Sequence, residues 1–299
     1  MTPATSNLDS WEHQYVRNIE SKYLSTIAWT DPEACGRYPS FQWVYDKYDL
    51  SQRMGVKCWD LEKGDPDYYP CFVKPKYNLW GMGESAYKCS HPDELPDNRA
   101  GFIAQEYFTG GHLSTDFVIF DSKIVDDFSF IGHKDSKGSF NLWESTQRYA
   151  DEAYLFAEIV CFYGIGNAII NVETINGRVI EAHLRPSTQF FDISGRIINQ
   201  AMLCFHRNQQ YIPRAKTFEK TYSHVNRMYN DAIVYQAYQI KELPKGVRSV
   251  QLCWENALPL SACAQDMTSY RYLVVNGNDL NALDRASIQI TESLQFRFV

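Results

Sequence analysis

Apolar and polar residues along this chain fall into short blocks whose period switches between two and three-to-four, the pattern of strands mixed with helices. A weak helical pattern runs from Trp11 to Leu24, and Thr30-Asp31-Pro32-Glu33 reads as an N-cap with proline in the first turn of a helix. Residues 47–55 predict a short helix, capped by Asp49 or a nearby polar group and stopped by Gly55. Cys71-Phe72-Val73-Lys74 predicts a buried strand that opens into a glycine-containing loop from Pro75 to Ser85. A strand over Phe102–Phe108 leads to a Gly110-Gly111 turn, and His112–Phe120 with Lys123–Phe130 predicts a strand pair about Asp121-Ser122. Residues 151–163 carry a helical period that Gly164 and Gly166 end. Asn167–Thr174 and Arg178–Leu184 predict a hairpin about Asn176-Gly177, the strongest short hairpin signal in the chain. Residues 187–210 and 217–241 predict helices, and Val247–Val299 reads as short strands with one helix near Asn278–Ala286. Elements in this order predict an α+β fold.

The length of 299 residues suggests two domains, or one large domain with an appendage. Apolar residues at 44% and charged residues at 22% exclude wholesale disorder. A net charge of −7 argues against a nucleic-acid-coating protein. None of the eight cysteines forms a C-x-x-C pair, so a structural zinc site is not expected, and several sit in apolar runs as buried free thiols do. The most apolar stretch, Tyr154–Val172, contains Glu158, Gly164, Gly166, Asn167 and Asn171 and makes a poor membrane span. The opening residues are Ser-, Thr- and Asp-rich, so a reducing, cytoplasmic location and no membrane partner are expected.

Four stretches can carry chemistry. Lys74 ends a strand before a glycine-containing loop, an arrangement suited to phosphates because the loop offers backbone N–H groups and the lysine a point charge. It is not a P-loop, and an exposed lysine before a surface turn is the plain alternative. Gln105-Glu106-Tyr107-Phe108-Thr109-Gly110-Gly111-His112 ends a strand in a double-glycine turn that can present backbone groups to a flat heterocycle, or is simply a tight turn. The hairpin carries Asn171, Glu173, Glu181, His183 and Arg185 on strands that are otherwise apolar. With a three-residue turn at Ile175-Asn176-Gly177, Thr174 pairs with Arg178 and Asn171 faces Glu181, a cluster of oxygen donors suited to Mg²⁺. Tyr45-Asp46-Lys47 precedes the short helix and says nothing alone.

Taken in order, "VYDKYDLSQRMGV", "CFVKPKYNLWGMGES", "FIAQEYFTGGHLSTDFVIFDSKIV" and "NAIINVETINGRVIEAHLRPS" resemble the ATP-grasp superfamily of carboxylate–amine ligases over about residues 42–195. The resemblance implies two α+β subdomains sandwiching ATP. It also implies chemistry in which a carboxylate takes the γ-phosphate, leaving ADP, and an amine or thiol then displaces phosphate. By position, Lys47 and Lys74 would hold the phosphates and the loop from Asn78 to Ser85, with Gly81 and Gly83, would close over them. Gln105, Glu106 and the backbone of Phe108 would meet the adenine, and His112 would take the ribose place. Glu181 would be the main Mg²⁺ ligand, with Asn171 the better-placed second ligand and Glu173 the alternative; Arg185, with Lys74, would stabilise the transferring phosphoryl group.

Three departures qualify the match. The family's E-x-N reads Glu181-Ala182-His183, so an imidazole replaces an amide; it would favour Mn²⁺, contact substrate, or mark lost activity. His112 replaces an acidic ribose ligand. About 40 residues precede Asp46-Lys47, so residues 1–45 are expected to be a truncated N-terminal region, 46–195 the core, and 196–299 a helical segment with a small C-terminal α/β lobe that supplies the acceptor site. "YLVVNGNDLNALDRASIQI" loosely resembles the β-rich lobe after some such cores. The aromatic run Tyr211, Phe218, Tyr222, Tyr229, Tyr235 and Tyr238 is read as the packing face of helices, with an acceptor pocket as the alternative. The leading expectation is a ligase acting on small-molecule carboxylates and amines. A phosphotransferase and a non-catalytic nucleotide-binding scaffold follow, and the oligomeric state is left open, a homodimer included.

Overall fold

The computed structural model describes residues 19–77, 79, 85–136, 138–187, 191–213, 219–236, 242–254, 259–260 and 269–299. In chain order the helices are α1 (Ser21–Leu24), α2 (Asp31–Arg37), α3 (Lys47–Arg53), α4 (Asp151–Phe162), α5 (Phe191–Arg207) and α6 (Leu280–Ser293). The strands are β1 (Cys58–Asp60), β2 (Cys71–Pro75), β3 (Tyr87–Cys89), β4 (Phe102–Glu106), β5 (His112–Phe120), β6 (Lys123–Lys134) and β7 (Phe140–Thr146). They continue with β8 (Ala168–Ile175), β9 (Arg178–His183), β10 (Tyr222–Met228), β11 (Ala232–Gln236), β12 (Val247–Leu252), β13 (Tyr270–Gly277) and β14 (Leu294–Phe298). The chain forms two compact units, one of Ala28–Asp127 with Arg148–Pro186 and the other of Met1–Ile27, Phe128–Gln147 and Ser187–Val299.

The first unit holds a four-stranded antiparallel sheet in the order β1-β4-β2-β3, and a second sheet in which β5 and β8 run antiparallel beside β9. One face of β5, β8 and β9 is apolar: Phe117, Ile119, Ile170, Val172 and Ala182 pack with Phe156, Ala157 and Val160 of α4 and Leu50 of α3. Two local signals set its geometry. Asp121 and Ser122 both adopt positive φ, as do Asn176 and Gly177, so the β5–β6 and β8–β9 hairpins close on two residues whose twist matches that of the strands. Thr30 caps α2 by accepting from the Glu33 N–H, and Asp46 caps α3 by accepting from the N–H groups of Tyr48 and Asp49.

In the second unit the strand order is β12-β13-β10-β7-β6, with β11 and β14 forming a separate antiparallel pair. Helix α6 packs Leu283, Ala286 and Ile290 against Leu273 and Val275 of β13. Helix α5 buries Phe191, Ser194, Ile198, Ala201, Met202 and Phe205, a stripe at three-to-four spacing.

The helix expected over residues 217–241 is absent: Tyr222–Met228 and Ala232–Gln236 are strands. Tyr222, Val225 and Met228 fit a helical period, but Ser223 and Val225 are buried while their neighbours are not, and pairing with β7 and β13 outweighs the weak helical signal. Tyr222, Tyr229 and Tyr235 accordingly do not form a helical packing face; Phe218 and Tyr238 lie outside the described residues. β7 is a strand the pattern did not signal. Among the described residues no helix is long and apolar enough to cross a membrane, and Cys35, Cys58, Cys71, Cys89, Cys161, Cys204 and Cys253 are free.

Candidate functional site

The face of β5, β8 and β9 opposite the apolar core carries Ser114, Asp116, Asn171, Glu173, Glu181 and His183, with the apolar pair Val118 and Ile169 beyond Asp116 and Asn171. The register places Ser114 opposite Glu173 and Asp116 opposite Asn171, then Glu173 opposite Glu181 and Asn171 opposite His183. This corrects the expected pairing of Asn171 with Glu181. The turn has two residues rather than three, so Ile175 pairs with Arg178, and a bulge between the Glu173 and Thr174 pairs leaves Ile180 unmatched in β9. Each change moves the register by one residue. Together they bring the two glutamates face to face and move Asn171 away.

The bulge has a second consequence. The Ile180 carbonyl accepts a hydrogen bond from Lys74 Nζ at 2.8 Å. Lys74 reaches it from β2 and donates also to Gln105 Oε1 at 2.8 Å, while Gln105 Nε2 donates to Ser51 Oγ at 2.9 Å. Ser51 lies one turn after Lys47 in α3 and donates to the Lys47 carbonyl. Lys47 and Lys74 are each 6% exposed. Lys47 Nζ pairs with Glu181 Oε1 at 2.8 Å, whereas the oxygens bound to Lys74 are neutral. Burial, reinforced by the neighbouring Lys47 charge, pushes the Lys74 ammonium down to about 8.

The carboxylates shift the other way. Burial alone would raise Glu181, but Lys47 foremost, then His183 and Lys74, bring it down to about 2. Burial would likewise raise Glu173, and the His112 imidazole, with Nε2 3.2 Å from Glu173 Oε2, holds it below its ordinary value. Both glutamates are therefore ionised at neutral pH, partly exposed, and cross-strand partners.

Residue 31 was not singled out from the sequence as a site residue, yet it organises one end of the face. Asp31, 3% exposed at the start of α2, lies 3.0 Å from His183 Nδ1 and accepts from Arg185 Nη2 at 2.8 Å. Burial alone would raise the Asp31 carboxyl, but His183 and Arg185 hold it well below the usual carboxylate range; burial would lower His183, and Asp31 raises it. Nothing local marks Asp31 beyond the helix start, because its partners lie more than 150 positions away.

The structure thus brings Lys47, Lys74, Gln105, His112, Glu173, Glu181, Asn171, His183 and Arg185 into one unit, joined by Ser51 and Asp31. Asn171 is 2% exposed and spends its amide N–H groups on Ser114 Oγ (2.9 Å) and Asp116 Oδ1 (2.6 Å). Gln105 is engaged by Lys74 and Ser51. Glu106 and Phe108 are half-buried, with the Arg178 guanidinium 5.6 Å over the Phe108 ring. Gly81 and Gly83 lie outside the described residues.

As donors for a divalent cation, Glu173 and Glu181 supply hard, ionised oxygens on adjacent strands, which suits Mg²⁺. Among the described residues no three His, Cys, Asp or Glu side chains converge to hold a metal by themselves. An ion here would complete its shell with phosphate oxygens and water, as Mg²⁺ commonly does.

No family model and no curated protein matches the sequence. Solved structures do match the fold. Phosphoribosylglycinamide synthetase from Anaerococcus prevotii aligns over 98% of this chain and 88% of its own, with 10% identity and a TM-score of 0.54. Carboxyaminoimidazole ribonucleotide synthase from Aspergillus clavatus, complexed with ATP, aligns over 83% and 75%, with 12% identity and a TM-score of 0.56. L-amino acid ligase from Bacillus licheniformis aligns over 94% and 75%, with 13% identity and a TM-score of 0.51. The chain has the α+β ATP-grasp fold that its four motifs resemble.

Proposed function

We propose that this protein is an ATP- and Mg²⁺-dependent ligase that activates a small-molecule carboxylate as an acylphosphate and joins it to an amine or thiol. The observation that carries this reading is the convergence of two buried lysines on a cross-strand pair of ionised glutamates, in a fold shared with ATP-using ligases. Among the described residues the hydrogen bonds of the buried Lys74 ammonium go to neutral oxygens, and a phosphate would give it an anion in direct contact.

In the first step an oxygen of the substrate carboxylate bonds to the γ-phosphorus, and the bond from that phosphorus to the β–γ bridging oxygen breaks. ADP leaves with the electron pair. In the second step the amine nitrogen or thiol sulfur bonds to the acyl carbon, the carbon–oxygen bond to phosphate breaks, and the nucleophile releases a proton. Lys47 and Lys74 would neutralise the phosphates before transfer, and Arg185, steadied by Asp31, would offset charge on the transferring group. Glu181 and Glu173 would hold Mg²⁺, which when bound screens the phosphate charges. Asn171, whose amide N–H groups are held by Ser114 and Asp116, would offer its Oδ1 as a further ligand. With the Gln105 side chain committed to Lys74, adenine contacts would fall to Glu106 and the Phe108 backbone, and ribose contacts to His112. The stretch 46–195 is the part we assign to nucleotide binding.

One observation favours a second reading, a nucleotide-binding scaffold: His183 stands where the family has a metal-binding amide, and its Nδ1 is bound by Asp31. A thermal-shift titration with Mg²⁺–ATP on wild type and Lys74→Ala, followed by a screen of acids and amines for ADP release, separates the two. At one hundred times Kd a ligand adds about 2.7 kcal/mol, a readily detected rise in Tm. A metal-dependent rise lost in Lys74→Ala, with ADP formed only when both acid and nucleophile are present, is the expected result. No rise in either protein would overturn the site, and a rise without turnover on any pair would leave the scaffold.

A further inference from the structure

Helix α4 is apolar on two sides. Ala153, Phe156, Ala157 and Val160 enter the core of the first unit. On the other side Leu155, Phe162 and Tyr163 are 48%, 86% and 56% exposed. Leu155, the half-buried Ile159 and Phe162 follow one another at four and three residues, so they form one stripe. Ile159 also touches the core, while Leu155 and Phe162 on either side of it are left exposed among the described residues.

Beside the stripe lies a shallow cavity of about 360 Å³ lined by Arg53, Glu158, Ile159, Phe162 and Tyr163. Phe162 and Tyr163 meet edge to face, with centroids 5.5 Å apart. Arg53 is held in place: its Nε donates to Asp49 at 3.0 Å and its guanidinium lies 4.5 Å over Trp43, which packs edge-on against Phe156 of α4. Asp49 engages the Nε of Arg53, and among the described residues neither the Arg53 Nη groups nor the Glu158 carboxylate has a hydrogen-bond or ion-pair partner. Two opposite charges thus line one apolar notch without pairing with each other.

We propose that this face is the contact for a second copy of the chain, in an isologous dimer. The charge pattern selects a copy of the chain over other partners because it is self-complementary. A two-fold axis through the notch sets Glu158 of one protomer against Arg53 of its partner, twice, with the Leu155–Phe162 stripes between them. Exposed aromatic rings and an ordered arginine are the groups that dominate protein interfaces. A stable interface covers about 800 Å² per partner, more than one helical stripe presents, so the dimer is reversible and concentration-dependent.

The test is analytical ultracentrifugation of the full chain from sub-micromolar to several hundred micromolar concentrations, on wild type and four variants. Wild type should convert from monomer to dimer over that range. Phe162→Glu should weaken association by about thirtyfold or more, the effect of losing an interface anchor. Arg53→Glu and Glu158→Arg should each weaken it by repulsion, and the double variant should regain most of the loss. Circular dichroism and Mg²⁺–ATP binding should be unchanged in every variant, since these side chains are exposed and outside the nucleotide site. A wild type that stays monomeric would overturn the proposal. So would a dimer indifferent to Phe162→Glu, or a double variant no tighter than the single ones.

Discussion

The sharpest consequence of the site concerns Lys74 and protons. Its ammonium is buried, bound among the described residues to the Gln105 and Ile180 oxygens, and pushed down to about 8 by burial and by Lys47. In the free protein it is almost fully charged at pH 7 and half charged near pH 8. Contact with phosphate oxygens restores the stabilisation of the charged form, so its pKa climbs back toward that of an ordinary lysine. Binding of ATP near pH 8 should therefore take up about half a proton, against about a tenth at pH 7. The same linkage makes apparent ATP affinity fall about tenfold between pH 7 and pH 9, a range over which an ordinary lysine produces almost no change. Isothermal titration calorimetry in two buffers of different ionisation enthalpy reads the proton count directly. Lys74→Met, which keeps the length and loses the charge, should bind ATP more weakly and without this uptake. Wild type that binds ATP near pH 8 with no proton uptake, or uptake of the same size in Lys74→Met, would refute the argument.

Other outcomes follow from the same geometry. Asp31→Ala leaves the buried His183 and the half-buried Arg185 without their shared carboxylate and should cost about 3 kcal/mol, read from urea unfolding of the two proteins. Because Asp31 raises His183 above its ordinary 6.5, the stability from that pair should be complete below pH 6.5 and lost as pH rises through the raised value; His183→Gln should flatten this part of the stability–pH curve. Glu181→Gln should sharply reduce the Mg²⁺ dependence of nucleotide binding while leaving the fold intact, and calorimetry with and without Mg²⁺ checks it. In the second unit, a Cβ on Gly277 would lie 2.0 Å from the Gly246 carbonyl oxygen, and neither backbone can yield. Gly277→Ala should lower stability by about 3 kcal/mol, measurable as a drop in the denaturation midpoint.

Much of this protein was determined by its sequence, because the signals were local. The Thr30 and Asp46 caps, the Asp121-Ser122 and Asn176-Gly177 turns, the extent of α4 and the strand carrying Lys74 all depend on neighbours a few positions away. The four motifs also placed Lys47, Lys74, Glu181 and Arg185 in one fold. Tertiary structure decided the rest. Whether 222–236 became helix or strand turned on partners in β7, β13 and β14, which no local window contains. The pairing of Glu173 with Glu181 turned on one turn residue and one bulge, each a slip of a single position that periodicity does not register. Asp31 became part of the site because folding brings the start of α2 to the end of β9, across more than 150 residues. Short-range preferences are written residue by residue; long-range partners are chosen only when the sheets assemble and buried charges must find one another.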